Sequence, residues 1–182
     1  MASYRAIAAV TEVLRRRLST SIRAELPDAR VVAGRPDEGL GRDTGAVSVF
    51  LFGVTPRTGA IGNDLPARGP GGRPPHAPSM ALDLHYLLSF TGEEQSLVSQ
   101  RMLGLALASL QAAPVLSDAE LGAAAAEGLP EAMELAQGPE RVRLSITPQS
   151  SEDMSRLWSM VSHHPYQLSV VCTAGVVFIE SG

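Results

Sequence analysis

The chain has 182 residues, of which 45% are hydrophobic and 19% are charged, and its formal net charge is −4 at pH 7. This composition predicts a globular domain and excludes a disordered one. The acidic balance and the 4% aromatic content argue against binding to nucleic acid or to an anionic membrane, because both need a basic surface.

The chain carries neither a disulfide framework nor a membrane segment. Its single cysteine, Cys172, excludes an intrachain disulfide. No stretch approaches the ~18 consecutive apolar residues of a membrane span, and the first residues lack the apolar core of a signal peptide. We therefore expect a protein that is made and folded in the cytoplasm.

The first third of the chain predicts a helix, two strands and a long loop. Apolar residues at three- and four-residue steps predict a helix over residues 3–26 with Ser3 as its N-cap, and the run Arg15, Arg16 and Arg17 is expected to form a solvated face of that helix. Residues 31–33 predict a short strand, and residues 46–54 predict a central strand covered on both sides. Residues 55–79 hold six of the thirteen prolines and predict a mobile Pro/Gly-rich loop.

The stretch ALDLHYLLSF at residues 81–90 predicts the strand around which the fold is built. Because side chains alternate between the two faces of a strand, one face is entirely apolar and predicts burial against helices. The other face is mixed and carries Asp83 and His85 side by side.

The second half of the chain predicts three helices and two strands. Residues 93–112 predict a mostly buried helix, and Ser117 with Glu120 forms a capping-box pattern that predicts a short helix to about residue 127. Residues 128–138 are expected to be irregular, and residues 141–147 to form a half-exposed strand with Val142, Leu144 and Ile146 inward. Ser150 predicts the start of a helix that Trp158 anchors in the core.

A long strand over residues 166–180 completes the predicted sheet. The order of the elements predicts an α/β (α+β) fold class, with a mixed sheet and helices packed on it. We expect a single domain over residues 1–182.

The sequence lacks the short motifs of common catalytic and cofactor sites, among them CxxC, HExxH, the P-loop and Gly-x-Ser-x-Gly. Asp83 and His85 point the same way, as a metal pair or an acid-oriented histidine requires, and His163 with His164 could add a ligand. The same residues also fit a polar sheet surface and a helix C-terminus. We predict no catalytic, metal or cofactor site; the alternative is a small metal-dependent enzyme or a peptide-binding module that uses Asp83 and His85.

Segments spread along the chain resemble one protein family. They are residues 4–11, 34–36, 63–66, 140–144 and 157–159, together with ALDLHYLLSF at residues 81–90 and PYQLSV at residues 165–170. These segments resemble the tail-terminator (cap) proteins of phage-tail-like extracellular contractile injection systems of the antifeeding-prophage type. The resemblance covers nearly the whole chain and implies a phage tail-terminator-like fold.

The resemblance implies a structural component of an injection particle and not an enzyme. Such a protein forms a hexameric ring that ends the inner tube and anchors the last sheath layer, at the end distal to the baseplate. The implied partners are other copies of the chain, the inner-tube protein and the sheath protein, with no cofactor, nucleic acid or membrane. Assembly would take place in the cytoplasm.

Two parts of the sequence are candidates for these contacts. For partner binding through the long loop we predict Asn63, Asp64, Leu65 and Arg68, in a segment that orders on contact. The long terminal strand, or an exposed edge next to it, could accept a strand donated by the sheath, because free strand edges are templates for such addition.

Overall fold

A five-stranded mixed sheet runs through the part of the chain that the computed structural model describes, which is residues 5–36, 44–57, 79–138, 140–161 and 165–180. The strands lie in the order β1 (Arg30–Ala33), β2 (Ala46–Pro56), β3 (Ser79–Thr91), β5 (Leu168–Glu180) and β4 (Arg143–Thr147). Strands β1 and β2 are parallel, and the other neighbours are antiparallel. The helices are α1 (Ala6–Arg23), α2 (Val98–Ala112), α3 (Asp118–Ala126), α4 (Glu131–Ala136) and α5 (Ser151–Met160). The predicted fold class is confirmed.

The main core lies between one face of the sheet and helices α1 to α4. Strand β3 supplies alternate buried residues to it, and α1 supplies an apolar stripe that includes Val10, Leu14 and Leu18. The Tyr86 hydroxyl reaches into this layer and lies 2.9 Å from the Thr11 hydroxyl. The β3 residues of this face are Leu82, Leu84, Tyr86, Leu88 and Phe90.

Helix α5 covers part of the opposite face of the sheet. Its Leu157 and Trp158 pack with Leu87 of β3 and Val171 of β5. The Trp158 indole N–H donates to the Ser169 hydroxyl at 3.0 Å. Trp158 is therefore a core anchor as predicted, and β2 is covered on both faces near its start.

Helix boundaries differ from the prediction at three places. Helix α1 begins at Ala6 with Arg5 at the N-cap position, and the predicted cap Ser3 lies outside the described residues. Helix α2 begins at Val98 and not at residue 93, because Leu97 takes a left-handed conformation with φ of 56°. Helix α4 occupies part of the stretch that was expected to be irregular.

Three burial predictions are wrong. Helix α2 is not mostly buried, because only Met102, Ala106 and Leu110 along it are fully buried. Ile146 is 38% exposed although Val142 and Leu144 are buried as predicted, since it lies near the end of a short edge strand. Arg17 is 8% exposed and so does not belong to a solvated helix face.

The three central strands are much longer than the two edge strands. Strand β1 pairs with Ala46 to Val49 of β2, and β4 pairs with Val171 to Gly175 of β5. Beyond these residues, β2 and β5 pair only with β3 within the described part of the chain. Strand β5 is thus an interior strand over its middle residues, and among the residues described its first residues, 168–170, and its last residues, 176–180, pair with no strand other than β3.

The long loop is shorter than predicted at both ends, because β2 continues to Pro56 and β3 begins at Ser79. The predicted contact residues Asn63, Asp64, Leu65 and Arg68 lie outside the described residues. None of the described helices is long and apolar enough to cross a membrane.

Candidate functional site

A row of hydrogen-bonded polar side chains crosses the sheet face that α5 leaves uncovered. The Thr55 hydroxyl lies 2.8 Å from Nε2 of His85, and Nδ1 of His85 lies 3.2 Å from the Thr173 hydroxyl. The row ends where the hydroxyls of Thr173 and Thr147 lie 2.6 Å apart. It thus links β2, β3, β5 and β4 in the order in which they lie in the sheet.

Asp83 points to the same face but has a different partner. The Arg57 guanidinium donates to both of its carboxylate oxygens, with Nε 3.1 Å from Oδ2 and Nη2 2.9 Å from Oδ1. Gly175 of β5 makes the room for this ion pair, since a Cβ there would lie 2.0 Å from Oδ1 of Asp83. The register of β5 against β3 shifts between Leu82 and Leu84, and this irregularity brings Gly175 opposite the pair.

This geometry does not assemble an acid–base or metal site from Asp83 and His85. Both ring nitrogens of His85 meet threonine hydroxyls, and the Asp83 carboxylate is held by an arginine. No group of three His, Cys, Asp or Glu side chains that could hold a metal ion occurs in the described residues. His163 and His164 lie outside those residues. The arrangement stabilises the sheet at the point where two neighbours of β3 change register.

An ion pair between the buried Arg17 and the partly exposed Glu120 joins α1 to the start of α3. The Arg17 guanidinium donates to both oxygens of Glu120, at 2.6 and 2.5 Å, and Nη1 and Nη2 also donate to the carbonyls of Ala113 and Val115, respectively. Burial opposes ionisation of Glu120, but hydrogen bonds from Arg17 and Ser117 outweigh it and lower the pKa of Glu120 to about 2. Beyond the capping box at Ser117, no sequence pattern indicates this pair, because its partners are 103 residues apart.

Two exposed apolar surfaces lie at opposite ends of the sheet. At the end where β3 begins, Met80 is 56% exposed and Val54 is 41% exposed. At the other end, an open groove of about 720 Å³ runs along the outer face of α2 and is lined by Glu94, Ser99, Gln100, Leu103, Gly104, Leu107 and Leu168. The leucines on all sides of α2 indicate an apolar outer surface, but the same pattern also fits a helix that is buried on all sides, which was the prediction.

Cys172 is buried within β5, and its thiol has low reactivity in the folded chain. Burial raises the pKa of its thiol to about 12. The thiol therefore stays protonated at neutral pH, and it is a poor nucleophile and a poor metal ligand in the folded chain.

Comparisons with known proteins agree with this fold. The chain is similar to the PVC sheath/tube terminator of an extracellular contractile injection system in its extended state, with a TM-score of 0.60 and 15% identity over 94% of this chain and 56% of that one. It is also similar to the tube-terminating cap of the anti-feeding prophage, with a TM-score of 0.58 and 16% identity over 92% of this chain and 54% of that one. Comparison with curated proteins found no match.

The chain therefore spans little more than half the length of the solved chains that it matches. A family model identifies the family of the chain more directly than these structures do. The model of the Pvc16 N-terminal domain matches residues 9–182. This match confirms the resemblance to tail terminators of contractile injection systems that the sequence indicated. The chain belongs to the Pvc16 N-terminal domain family.

Proposed function

We propose that this protein is the structural cap of a contractile injection system: a six-membered ring that ends the inner tube and anchors the last sheath layer, distal to the baseplate. The observation that carries the proposal is the likeness of fold, over 94% of the chain, to a sheath/tube terminator. The family match over residues 9–182 supports it. A ring of this kind is built from heterologous contacts that close by rotation.

A cap must end a polymer, and the edges of the sheet suit that task. Nη1 of Arg15 donates to the Val31 carbonyl at 3.2 Å, which occupies part of the outer edge of β1. On β4, Leu144 donates to the Pro114 carbonyl and Leu116 donates to the Val142 carbonyl, so that edge is partly closed as well. Edges blocked in this way resist further strand pairing.

The free edge of β5 supports attachment of the sheath. Val176–Glu180 pairs with β3 on one side and with no other described strand. We assign to this edge the addition of a strand from a sheath protein, which would bind through main-chain hydrogen bonds. Amide hydrogen exchange at residues 176–180 should then slow when the sheath protein is bound; unchanged exchange would contradict strand addition there.

Contact with the tube rim is assigned to Asn63, Asp64, Leu65 and Arg68 on the basis of the sequence alone. Their segment joins β2 to β3, so it leaves the sheet at the end that carries Met80 and the free edge of β5. Replacing all four by alanine should weaken retention of the cap on tubes. The matched deletion of residues 69–79 tests the rest of the segment, and caps that stay bound in both variants would refute this assignment.

The proposed role needs no catalysis and no cofactor. The partners of Asp83 and His85 support this part of the proposal, because an arginine and two threonines satisfy them. The competing hypothesis is a metal-dependent enzyme, and elemental analysis of the purified protein distinguishes the two. Stoichiometric metal that is lost in His85→Ala would favour the enzyme.

The decisive experiment is negative-stain microscopy of particles from cells with and without this gene. We expect tubes and sheaths of uncontrolled length, or sheaths that contract prematurely, when the gene is absent, and normal particles when it is restored. Particles of normal length and stability without the gene would refute the cap function.

A further inference from the structure

We infer that the ion pair of Arg17 and Glu120 ends the sheet on the β4 side and keeps a second copy of this chain from pairing there. This property belongs to the chain alone and does not depend on the proposed cap function. Arg17 is the last residue of the arginine run in α1, and its side chain is only 5% exposed. A charged group that is buried to this degree is tolerated only where it is fully paired and hydrogen-bonded.

A short segment between α2 and α3, the edge segment (residues 113–117), lies along the outer edge of β4. It shares two main-chain hydrogen bonds with β4 and forms one β-bridge to it. These contacts are the Leu144 N–H to the Pro114 carbonyl at 2.7 Å, the Leu116 N–H to the Val142 carbonyl at 3.0 Å, and the bridge between Val115 and Arg143. This is the pattern of an antiparallel pair, so the edge segment forms a rudimentary sixth strand.

The ion pair occupies the side of the edge segment that is turned away from β4. Main-chain groups alternate in direction along an extended segment, so every second residue presents them on this side. The Arg17 guanidinium donates to two of these carbonyls, those of Ala113 and Val115. The Glu120 carboxylate accepts from the Ser117 N–H at 2.9 Å. The cation thus pairs with acceptors of the outer edge and the anion with a donor, which are the positions that another strand would fill.

Glu120 also fixes the orientation of the guanidinium. Nε of Arg17 donates to one carboxylate oxygen at 2.6 Å, and Nη2 donates to the other at 2.5 Å. With the two carbonyls of the edge segment, all three nitrogens of the guanidinium donate. A planar group with several donors can make these contacts together, whereas a lysine ammonium offers a single charged centre. Arg17 therefore acts as a positioning residue for the edge segment.

The rest of the β4 edge offers little to another strand. Pro114 has no N–H with which to extend the ladder past Leu144, and Pro148 directly follows β4. Between these two prolines, Ile146 is the residue whose main-chain groups point outward and have no partner among the described residues. Loss of the edge segment would also free Leu144 and Val142, and a run of unpaired main-chain groups of this kind is a template for pairing with another chain.

The opposite edge of the sheet is closed in a related way. Arg15 pairs through two nitrogens with Glu12 and donates to the Val31 carbonyl of β1 at 3.2 Å. Arg16, between the two edge-closing arginines, pairs with Glu12 and Glu127 and donates to no main-chain carbonyl among the residues described. The arginine run thus supplies one side chain to each edge of the sheet. Arg16 is a matched control, because it has the same charge and the same helix but no contact with an edge.

Replacement of Arg17 tests the closure directly. Arg17→Met should release the edge segment, so that amide exchange at Leu116 and Leu144 becomes at least tenfold faster. In sedimentation velocity it should form larger oligomers than the unmodified chain, and their size should grow with concentration. Arg16→Met should exchange and sediment like the unmodified chain. Unchanged exchange in Arg17→Met would overturn the positioning role of Arg17, and faster exchange without further association would overturn its role against pairing.

A second substitution identifies the surface through which Arg17→Met associates. Ile146→Pro removes the remaining outward N–H of β4 at a residue that is 38% exposed, and edge strands accept proline where the N–H is unpaired. Added to Arg17→Met, it should return the oligomers to the size of the unmodified protein. Oligomers that persist in the double variant would refute pairing at the β4 edge.

Arg17→Lys keeps the inference testable if Arg17→Met does not fold. It retains the charge opposite Glu120 but cannot donate to both carbonyls of the edge segment from a planar fork. Exchange at Leu116 and Leu144 should therefore still rise, while exchange in the central strand β3 stays unchanged and shows that the fold is intact. Unchanged exchange at Leu116 and Leu144 would refute the inference. None of these measurements needs a tube or a sheath, so their failure leaves the cap function standing.

Discussion

Three serines lie side by side across β2, β3 and β5, and their hydrogen bonds differ. Ser48 is opposite Ser89, and Ser89 is opposite Ser169; all three are buried. Ser48 donates to the Gly34 carbonyl at 2.6 Å and Ser169 accepts from Trp158, but the Ser89 hydroxyl has no partner within the described structure. Because an unpaired buried hydroxyl is costly, Ser89→Ala should raise the free energy of unfolding by about 1 kcal/mol, as measured by urea denaturation.

Ser169→Ala is the control for this prediction. It removes the acceptor of the Trp158 N–H, so it should lower the free energy of unfolding by about 1 kcal/mol. A loss of stability in Ser89→Ala of the same size would contradict the unpaired state of Ser89.

Gly175 predicts a second effect at the residue scale. A methyl group there would lie 2.0 Å from Oδ1 of Asp83 and 3.0 Å from Nη2 of Arg57. Gly175→Ala should therefore displace the ion pair and lower the free energy of unfolding by about 1–3 kcal/mol. Adding Asp83→Ala should recover part of this loss, which a double-mutant cycle by urea denaturation measures. Strictly additive effects would show that the clash lies elsewhere.

At the residue scale, the sequence predicted which face of the sheet Asp83 and His85 share, but not which side chains they contact. Alternation along β3 was enough to place Asp83 and His85 on one face away from the main core. Their partners Thr55 and Thr173 come from β2 and β5, and Arg57 directly follows β2. Register shifts in the pairing decide which residues meet. Hydrophobic periodicity does not predict where such register shifts occur, because a β-bulge adds one residue to one strand without a distinctive change in amino-acid composition.

At the scale of elements, the ion pair between α1 and α3 makes stability depend on pH. The pKa of Glu120 is lowered from 4.5 to about 2, so the contribution of the pair to stability is present above pH 4.5 and is lost as the pH falls toward 2. Glu120→Gln should lower the free energy of unfolding at pH 7 and have almost no effect near pH 2. Urea denaturation across this pH range measures the difference.

The exposed pair of Glu152 and Arg156 on α5 provides the control. Both side chains are more than 70% exposed, and such surface pairs contribute little to stability. Glu152→Gln should therefore leave the pH dependence almost unchanged. An equal effect of Glu152→Gln and Glu120→Gln would show that the pH dependence reflects net charge and not the pair of Arg17 and Glu120.

Helices and strands were predictable where the periodic pattern of apolar residues was long, and the prediction failed where that pattern was interrupted. Strand β3 and the capped helices α3 and α5 were recognisable because alternation or cap residues mark them. Helix α4 was missed because Gly128, Pro130 and Gly138 surround only six helical residues. The start of α2 was placed too early because residues 93–96 have helical composition, whereas the left-handed Leu97 delays the helix to Val98.

At the scale of the whole molecule, the mismatch in strand length ties the fold to assembly. Short edge strands protect the middle of the sheet, while the ends of β2, β3 and β5 extend beyond them. The exposed apolar residues and the free strand edge are thereby brought together at one end, and the groove along α2 lies at the other. Exposed apolar surface favours association with other proteins, so these two ends of the sheet are suited to contacts within an assembly.

Methionine oxidation tests this view on the unmodified protein. Met80 is 56% exposed and Met160 is 64% exposed in the single chain, whereas Met102 is fully buried. Because Met80 pairs with Ile179 of the β5 edge to which sheath addition is assigned, and the end of α5 is not part of that edge, assembly should slow oxidation of Met80 by peroxide several-fold and leave Met160 reactive. Mass spectrometry of peptides from free and assembled protein measures both rates. Equal oxidation of Met80 in the two states would place the strand end outside the assembly contacts, and protection of Met160 alone would move those contacts to α5.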